Sequence, residues 1–152
     1  DWGEKIAAGK ACDIRRCISC NKGCTDAIQN REFLSCVLNA ENGYENTRRI
    51  TPCEKKKKVA VIGGGPAGLE AARVAALRGH DVTLFEKTTT LGGQLNIACV
   101  PPRKEEMRRA TQDLARGYSY TTKIKIYAPN MKTVQTLTVE AHRLTDLETT
   151  LN

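Results

Sequence analysis

The clearest pattern of apolar positions lies in the middle of the chain. KVAVI, residues 58–62, is a β-branched run bounded by Lys and Gly, the pattern of a buried parallel strand. AGLEAARVAALRGH follows at 67–80 and predicts a helix that stops at Gly79. Gly68, Ala72, Ala75 and Ala76 share one face of it, and their small size lets the helix lie close to a sheet. DVTLFE, residues 81–86, supplies a second strand. Two strands joined by one helix make a βαβ unit, whose crossover is almost always right-handed.

On either side the pattern weakens. Residues 1–53 are polar, rich in Cys and short of strand signals. Beyond the second strand, VPPRKEEMRRATQDLARG (100–117) predicts a helix opened by its Pro pair and closed at Gly117. A Thr-rich tail follows, in which KIKIYA and QTLTVEA are candidate strands with no assigned place in a sheet. Three zones result: 1–53, 54–116 and a divergent tail at 117–152. The sheet of such a chain is expected to be incomplete, with an edge and an apolar face uncovered.

Composition adds limits. The chain has 152 residues, 40% hydrophobic but only 5% aromatic, so its core must be built from small apolar groups. No stretch approaches the eighteen or so apolar residues of a membrane span. DWGEKIAAGKACDIRRC has no apolar signal core and does not begin with Met. It reads as the middle of something longer, with a cytoplasmic location as the default. The formal charge of +7 suggests an anionic partner. Its distribution speaks against nucleic acid: EKKKKVAVI is a solvated linker ahead of a strand, RKEEMRR mixes signs, and no aromatics are interleaved for base stacking.

The anion that the chain is built for is marked at Gly63-Gly64-Gly65-Pro66-Ala67-Gly68, a G-x-G-x-x-G turn between strand and helix. Gly63 permits the tight turn, Gly65 lets a pyrophosphate approach the backbone, and Gly68 lets helix and strand pack closely. Pro66 and Ala67 open the helix, whose N-terminus offers free N–H groups and a positive dipole end to phosphates. Glu86, eighteen residues after Gly68, ends the next strand. Its carboxylate suits an adenosine ribose diol and repels a 2′-phosphate, although Lys87 beside it would favour one. The expected ligand is the adenosine half of FAD, NAD or ADP.

Seven cysteines remain, four of them in the pattern C-x2-C-x3-C-x11-C: Cys17, Cys20, Cys24 and Cys36. Disulfides are disfavoured because nothing indicates export. Four thiolates suit a tetrahedral zinc, but structural zinc sites usually pair two C-x2-C knuckles. Three near ligands and one distant one favour the wider corners of a cubane, with zinc left open.

DIRRCISCNKGC, FLSCVLN, KKVAVIGGGPAGLEAARVAALRGHDVTLFEK and LGGQLNIACVPPRKEE together closely resemble the C-terminal part of iron–sulfur flavoenzymes of the old yellow enzyme group, over roughly residues 1–107. These include 2,4-dienoyl-CoA reductase, trimethylamine dehydrogenase and the bile-acid-inducible NADH:flavin oxidoreductases. The resemblance implies a 4Fe–4S cluster on Cys17, Cys20, Cys24 and Cys36. It implies FAD, or ADP, in a Rossmann-like α/β domain at 54–116, on Gly63, Gly65, Gly68 and Glu86, with Gly92, Gly93 and Gln94 as a second backbone approach. Cys12, Cys53 and Cys99 match no ligand position and are expected to be ordinary thiols. The FMN-binding TIM barrel of the group, with its substrate-reducing residues, is not in this sequence, and no catalytic residue is expected here. The implied function is electron transfer in an NAD(P)H-dependent oxidoreductase. The alternative is a non-catalytic ADP- or dinucleotide-binding module with a structural metal.

Overall fold

The structure, a computed structural model, describes residues 2–116, 124–127 and 135–137. The Cys-rich zone forms α1 (Trp2–Ala7), a 3-10 turn at Ala11–Asp13 and α2 (Thr25–Gln29), joined by irregular chain. It has almost no core of its own: among residues 2–53 only Gly23 and Ala27 are buried. The loop beyond is gathered by Tyr44, whose ring lies 5.0 Å from that of Phe33 and 3.8 Å beneath the Arg48 guanidinium.

The βαβ unit follows as the apolar pattern predicts: β1 (Lys58–Ile62), α3 (Pro66–Leu77) and β2 (Asp81–Phe85). β1 and β2 are parallel, with Val59 opposite Val82 and Val61 opposite Leu84. Successive side chains of a strand point to opposite faces, so these four share one face. On it Leu69, Ala72 and Ala76 of α3 pack against Val82 and Leu84. The unit continues through α4 (Leu95–Ala98) to α5 (Glu106–Arg116), which adds Leu114 to the same core. β3 (Ile124–Tyr127) pairs parallel with β2, and β4 (Gln135–Leu137) pairs antiparallel with β3, giving the order β1-β2-β3-β4. Both candidate strands of the tail thus have a place in the sheet.

Two expectations are corrected. KVAVI is not a fully buried strand. Lys58, Ala60 and Ile62 are exposed, Ile62 at 88%, because α3 and α5 cover one face only and β1 is the edge of the sheet. The last helix does not open at Pro101-Pro102 but at Glu106. A helix tolerates Pro in its first turn, yet Arg103 directly after the pair has φ +63, a left-handed turn that no helix continues through. The expected stop at Gly117 lies outside the described residues. Among the described residues no helix is long and apolar enough to cross a membrane.

The closest approach in the βαβ unit is at Gly68. A Cβ there would stand 1.8 Å from the Gly63 carbonyl oxygen; Gly68 lies within α3, and Gly63 is tied to β2 by its N–H on the Phe85 carbonyl. Gly68→Ala should therefore cost about 1–3 kcal/mol as an overpacking change, read as a thermal unfolding midpoint several degrees lower. An unchanged midpoint would mean that α3 lies further from β1.

Candidate functional site

The glycine turn leaves β1 through Gly63, whose φ of +100 is open to Gly alone without strain. Its N–H donates to the Phe85 carbonyl at 2.7 Å and so extends the β1–β2 ladder by one rung. α3 then begins with Gly65 as N-cap and Pro66 as its first residue. Proline wastes no donor there, since the first N–H groups of a helix have no intrahelical acceptor. Pro66 and Ala67 are exposed, so the positive end of the helix faces solvent.

Gly65 shows the cradle most directly. A Cβ added to it would meet nothing within 4 Å, so a close approach to its backbone is open. The second glycine loop closes on this point. Gly92 N–H donates to the Gly64 carbonyl at 2.8 Å, and a Cβ on Gly93 would stand 3.2 Å from Gly65 Cα. Gln94 lies exposed at the N-cap of α4. The structure thus packs Gly68 against Gly63 and sets Gly93 against Gly65, with Gln94 next to Gly93.

Glu86 lies beside the same turn, 7% exposed. One carboxylate oxygen accepts from Gly64 N–H at 2.5 Å. The other accepts from Thr88 N–H at 2.8 Å and the Thr88 hydroxyl at 2.9 Å. Burial opposes its ionisation most strongly, but the bonds from Gly64, Thr88 and the Lys87 N–H together outweigh it and hold the carboxyl below its usual range. Glu86 therefore braces the glycine turn as well as closing the strand. Lys87 beside it is exposed. The role of Thr88 was not legible in the sequence, where TTT after the strand reads only as a polar turn.

The four motif thiols line one cavity against α3 and α5. The bend that gathers them has two non-Gly residues in the left-handed region, Ser19 (φ +53) and Asn21 (φ +57). Ser19 N–H donates to Cys17 Sγ at 3.3 Å. The distant fourth thiol is brought to the same cavity by its neighbour: Ser35 N–H donates to the Gly23 carbonyl at 2.7 Å, tying the Cys36 loop to the Cys24 loop. A Cβ on Gly23 would lie 2.6 Å from the Ser35 carbonyl oxygen, so only Gly permits this pairing. Among the described residues no three His, Cys, Asp or Glu side chains stand close enough to hold a single metal ion. Cys12 is a fifth thiol on the cavity wall. Cys53 lies elsewhere, its N–H on the Arg78 carbonyl at the end of α3, and Cys99 is buried with its Sγ 3.3 Å from the Asn96 carbonyl oxygen.

The cavity and the glycine turn share α3. Arg73 and Leu77 of that helix line the cavity, and Arg73 lies seven residues from Pro66, about 10 Å along the axis at 1.5 Å per residue. Glu70 lies between and accepts from Arg73 (2.9 and 2.7 Å) and Arg15 (2.9 and 3.2 Å). Burial works against its charge, and the two arginines more than compensate, so its carboxyl too is held below the usual range.

The pH dependence follows from these two carboxylates. A lowered folded-state pKa contributes stability that is complete above the ordinary carboxylate value and is lost as pH falls through the folded value. The unfolding midpoint should thus be level between about pH 7 and pH 5 and fall below about pH 4. A midpoint level down to about pH 3 would show that neither network holds the fold.

A glycine turn on a βαβ unit, braced by a buried acid directly after the second strand, is the arrangement expected of a dinucleotide-binding unit. Residues 58–144 match the family described as FAD dependent oxidoreductase, and the chain belongs to that family. The match runs past residue 107, where the resemblance of the motifs ends. Bilirubin reductase of Mediterraneibacter gnavus is 70% identical over 114 residues, covering 75% of this chain and 18% of that protein. Metal reductase of Desulforamulus reducens is 43% identical over 126 residues, covering 78% and 19%. Among solved structures, histamine dehydrogenase from Rhizobium sp. 4-9 superposes with a TM-score of 0.75 at 34% identity, covering 83% of this chain and 19% of that one. The chain thus spans about a fifth of the length of these relatives. They are reductases and a dehydrogenase, as the resemblance to the iron–sulfur flavoenzymes of the old yellow enzyme group implied.

Proposed function

We propose that this chain is the electron-transfer portion of an NAD(P)H-dependent iron–sulfur flavoprotein oxidoreductase. FAD lies at the glycine turn and a 4Fe–4S cluster on Cys17, Cys20, Cys24 and Cys36. The observation that carries the reading is the shared helix: α3 has an exposed N-terminus at the glycine turn, and its far half lines the cavity that also holds the four thiols.

The donor sets fit both groups. Gly65 and Gly93 leave the backbone bare where a pyrophosphate would lie, and the helix N-terminus supplies N–H donors and a favourable dipole there. Glu86, fixed by Gly64 and Thr88, has lone pairs left for a ribose diol. Four thiols around one cavity match the ligand set of a cubane, and the Ser19 N–H on Cys17 is the kind of bond that tunes such a cluster. When bound, the cluster and the flavin supply one-electron transfer and hydride chemistry, while the protein supplies binding, spacing and electrostatics. The expected partner is an FMN-binding TIM barrel that reduces an activated C=C bond or a related substrate. The membrane and nucleic acid have no part in this reading.

A titration of the anaerobically reconstituted chain with FAD, ADP and NAD tests the nucleotide half. FAD should bind at least tenfold more tightly than ADP, because its second half adds contacts beyond the shared adenosine diphosphate. ADP binding as tightly as FAD would instead support a non-catalytic ADP-binding module.

A further inference from the structure

The segment that carries the four thiols has almost no apolar core, so something else must hold it. Among residues 2–53 only Gly23 and Ala27 are buried. The side-chain contacts that fasten it to α3 and α5 are those of Arg15 and Arg16, directly before Cys17.

Arg15 reaches in two directions. Its Nη1 donates to the carbonyl of Leu38, two residues beyond Cys36. Its Nη2 donates to both carboxylate oxygens of Glu70 on α3, at 2.9 and 3.2 Å. Its side chain is 21% exposed, and that of Arg73, which fastens Glu70 from the other side, is 13% exposed. Arg16 grips α5. Its backbone N–H and its Nε donate to Asp113 Oδ2 at 2.8 and 3.2 Å, and its Nη2 donates to Asp113 Oδ1 at 2.7 Å. The Asp113 side chain is 5% exposed. Asp113 is the buried charge of the pair, and a buried charge costs much desolvation and stays only with well-made partners; Glu70 and Arg16 are 28% and 40% exposed. A planar guanidinium can satisfy two acceptors at once, whereas an ammonium is a point charge.

We propose that Arg15 and Arg16 are positioning residues for the thiol site: they clamp the segment to α3 and α5, and Arg15 ties the Cys17 end of the ligand set to the Cys36 end. The proposal rests on the four-thiol cluster reading above. With the clamp closed, the first and fourth thiols start near one another and less chain entropy is lost when a cluster binds. Without it, the Gly23–Ser35 pairing is left to hold the Cys24 and Cys36 loops together.

The test uses the full chain with Arg15→Ala and Arg15→Lys and two readouts. In metal-free protein, trypsin cleavage at the exposed Lys22 and Arg31 should be at least tenfold faster in Arg15→Ala than in wild type. In protein reconstituted anaerobically with ferrous iron and sulfide, a chelator should remove iron at least tenfold faster from Arg15→Ala, with FAD affinity within twofold of wild type. Arg15→Lys should leave both rates fast, since it restores the charge but not the bridge. Wild-type rates in Arg15→Ala, or full rescue by Lys, overturn the clamp. Loss of FAD binding together with iron in Arg15→Ala also overturns it, because Arg15 would then hold the whole fold rather than the thiols. A wild-type chain that takes up no iron fails the cluster reading, and the cleavage rates still decide whether the clamp exists.

Discussion

Replacing Gly65 by Val should lower FAD and ADP affinity by well over tenfold, a loss above about 1.4 kcal/mol, while the thermal unfolding midpoint stays close to wild type. The two halves of that expectation have separate causes. Gly65 has φ −74, an ordinary value for any residue, and a Cβ there meets no protein atom within 4 Å. The fold therefore accepts the side chain. The ligand does not, because the branched carbons occupy the space where a pyrophosphate must approach the backbone. Gly68 is the contrasting position, since its Cβ would strike the Gly63 carbonyl and the damage would fall on folding first. Glu86→Ala should weaken binding as well, through the lost bonds to ribose and the loosened Gly64 and Thr88. Equal FAD and ADP affinity in folded Gly65→Val and wild-type protein would remove the nucleotide assignment.

Cys20→Ser should abolish iron binding, whereas Cys53→Ser should leave it intact. A cubane lost from one corner has no full set of thiolates, and a hydroxyl is a far poorer ligand for iron than a thiolate. Cys53 is the right control because its backbone is bonded to the Arg78 carbonyl at the end of α3 and its side chain does not line the cavity. Both variants change one sulfur to oxygen, so a difference between them reports position rather than chemistry. Iron retained by Cys20→Ser at the wild-type level would mean that the ligand set has been misassigned.

The βαβ unit was the most legible part of the chain. Its signals are local and mutually consistent: β-branched strands, a helix with small residues on one face, and glycines at fixed offsets. The glycine turn was readable for the same reason, as Gly63 needs a positive φ and Gly68 a close approach, both written in residue type. What the sequence did not reveal depends on long-range partners. KVAVI looks fully buried because nothing in the run itself says that only one face will be covered. The opening of α5 was misplaced since the Pro pair is a familiar helix start, and the left-handed Arg103 after it leaves no signature in residue type.

At the proposed cluster site the four thiols were marked by their spacing, but what holds the segment was not legible. Spacing marks Cys17, Cys20, Cys24 and Cys36, yet the Gly23–Ser35 pairing that brings in Cys36 joins residues that look like ordinary loop. Arg15 and Arg16 could have been flagged only as two charges next to a ligand. Their partners Glu70 and Asp113 lie 55 and 97 residues away, which no local pattern records. Cys12 lies on the cavity wall with the other four, so only the spacing of the motif sets the proposed ligands apart from it.

The most direct test of the account is the metal and sulfide content of the full chain after anaerobic reconstitution. About four irons and four acid-labile sulfides per chain, with a broad absorption near about 400 nm that bleaches on reduction, are the predicted result. One tightly held zinc per chain without sulfide would contradict it.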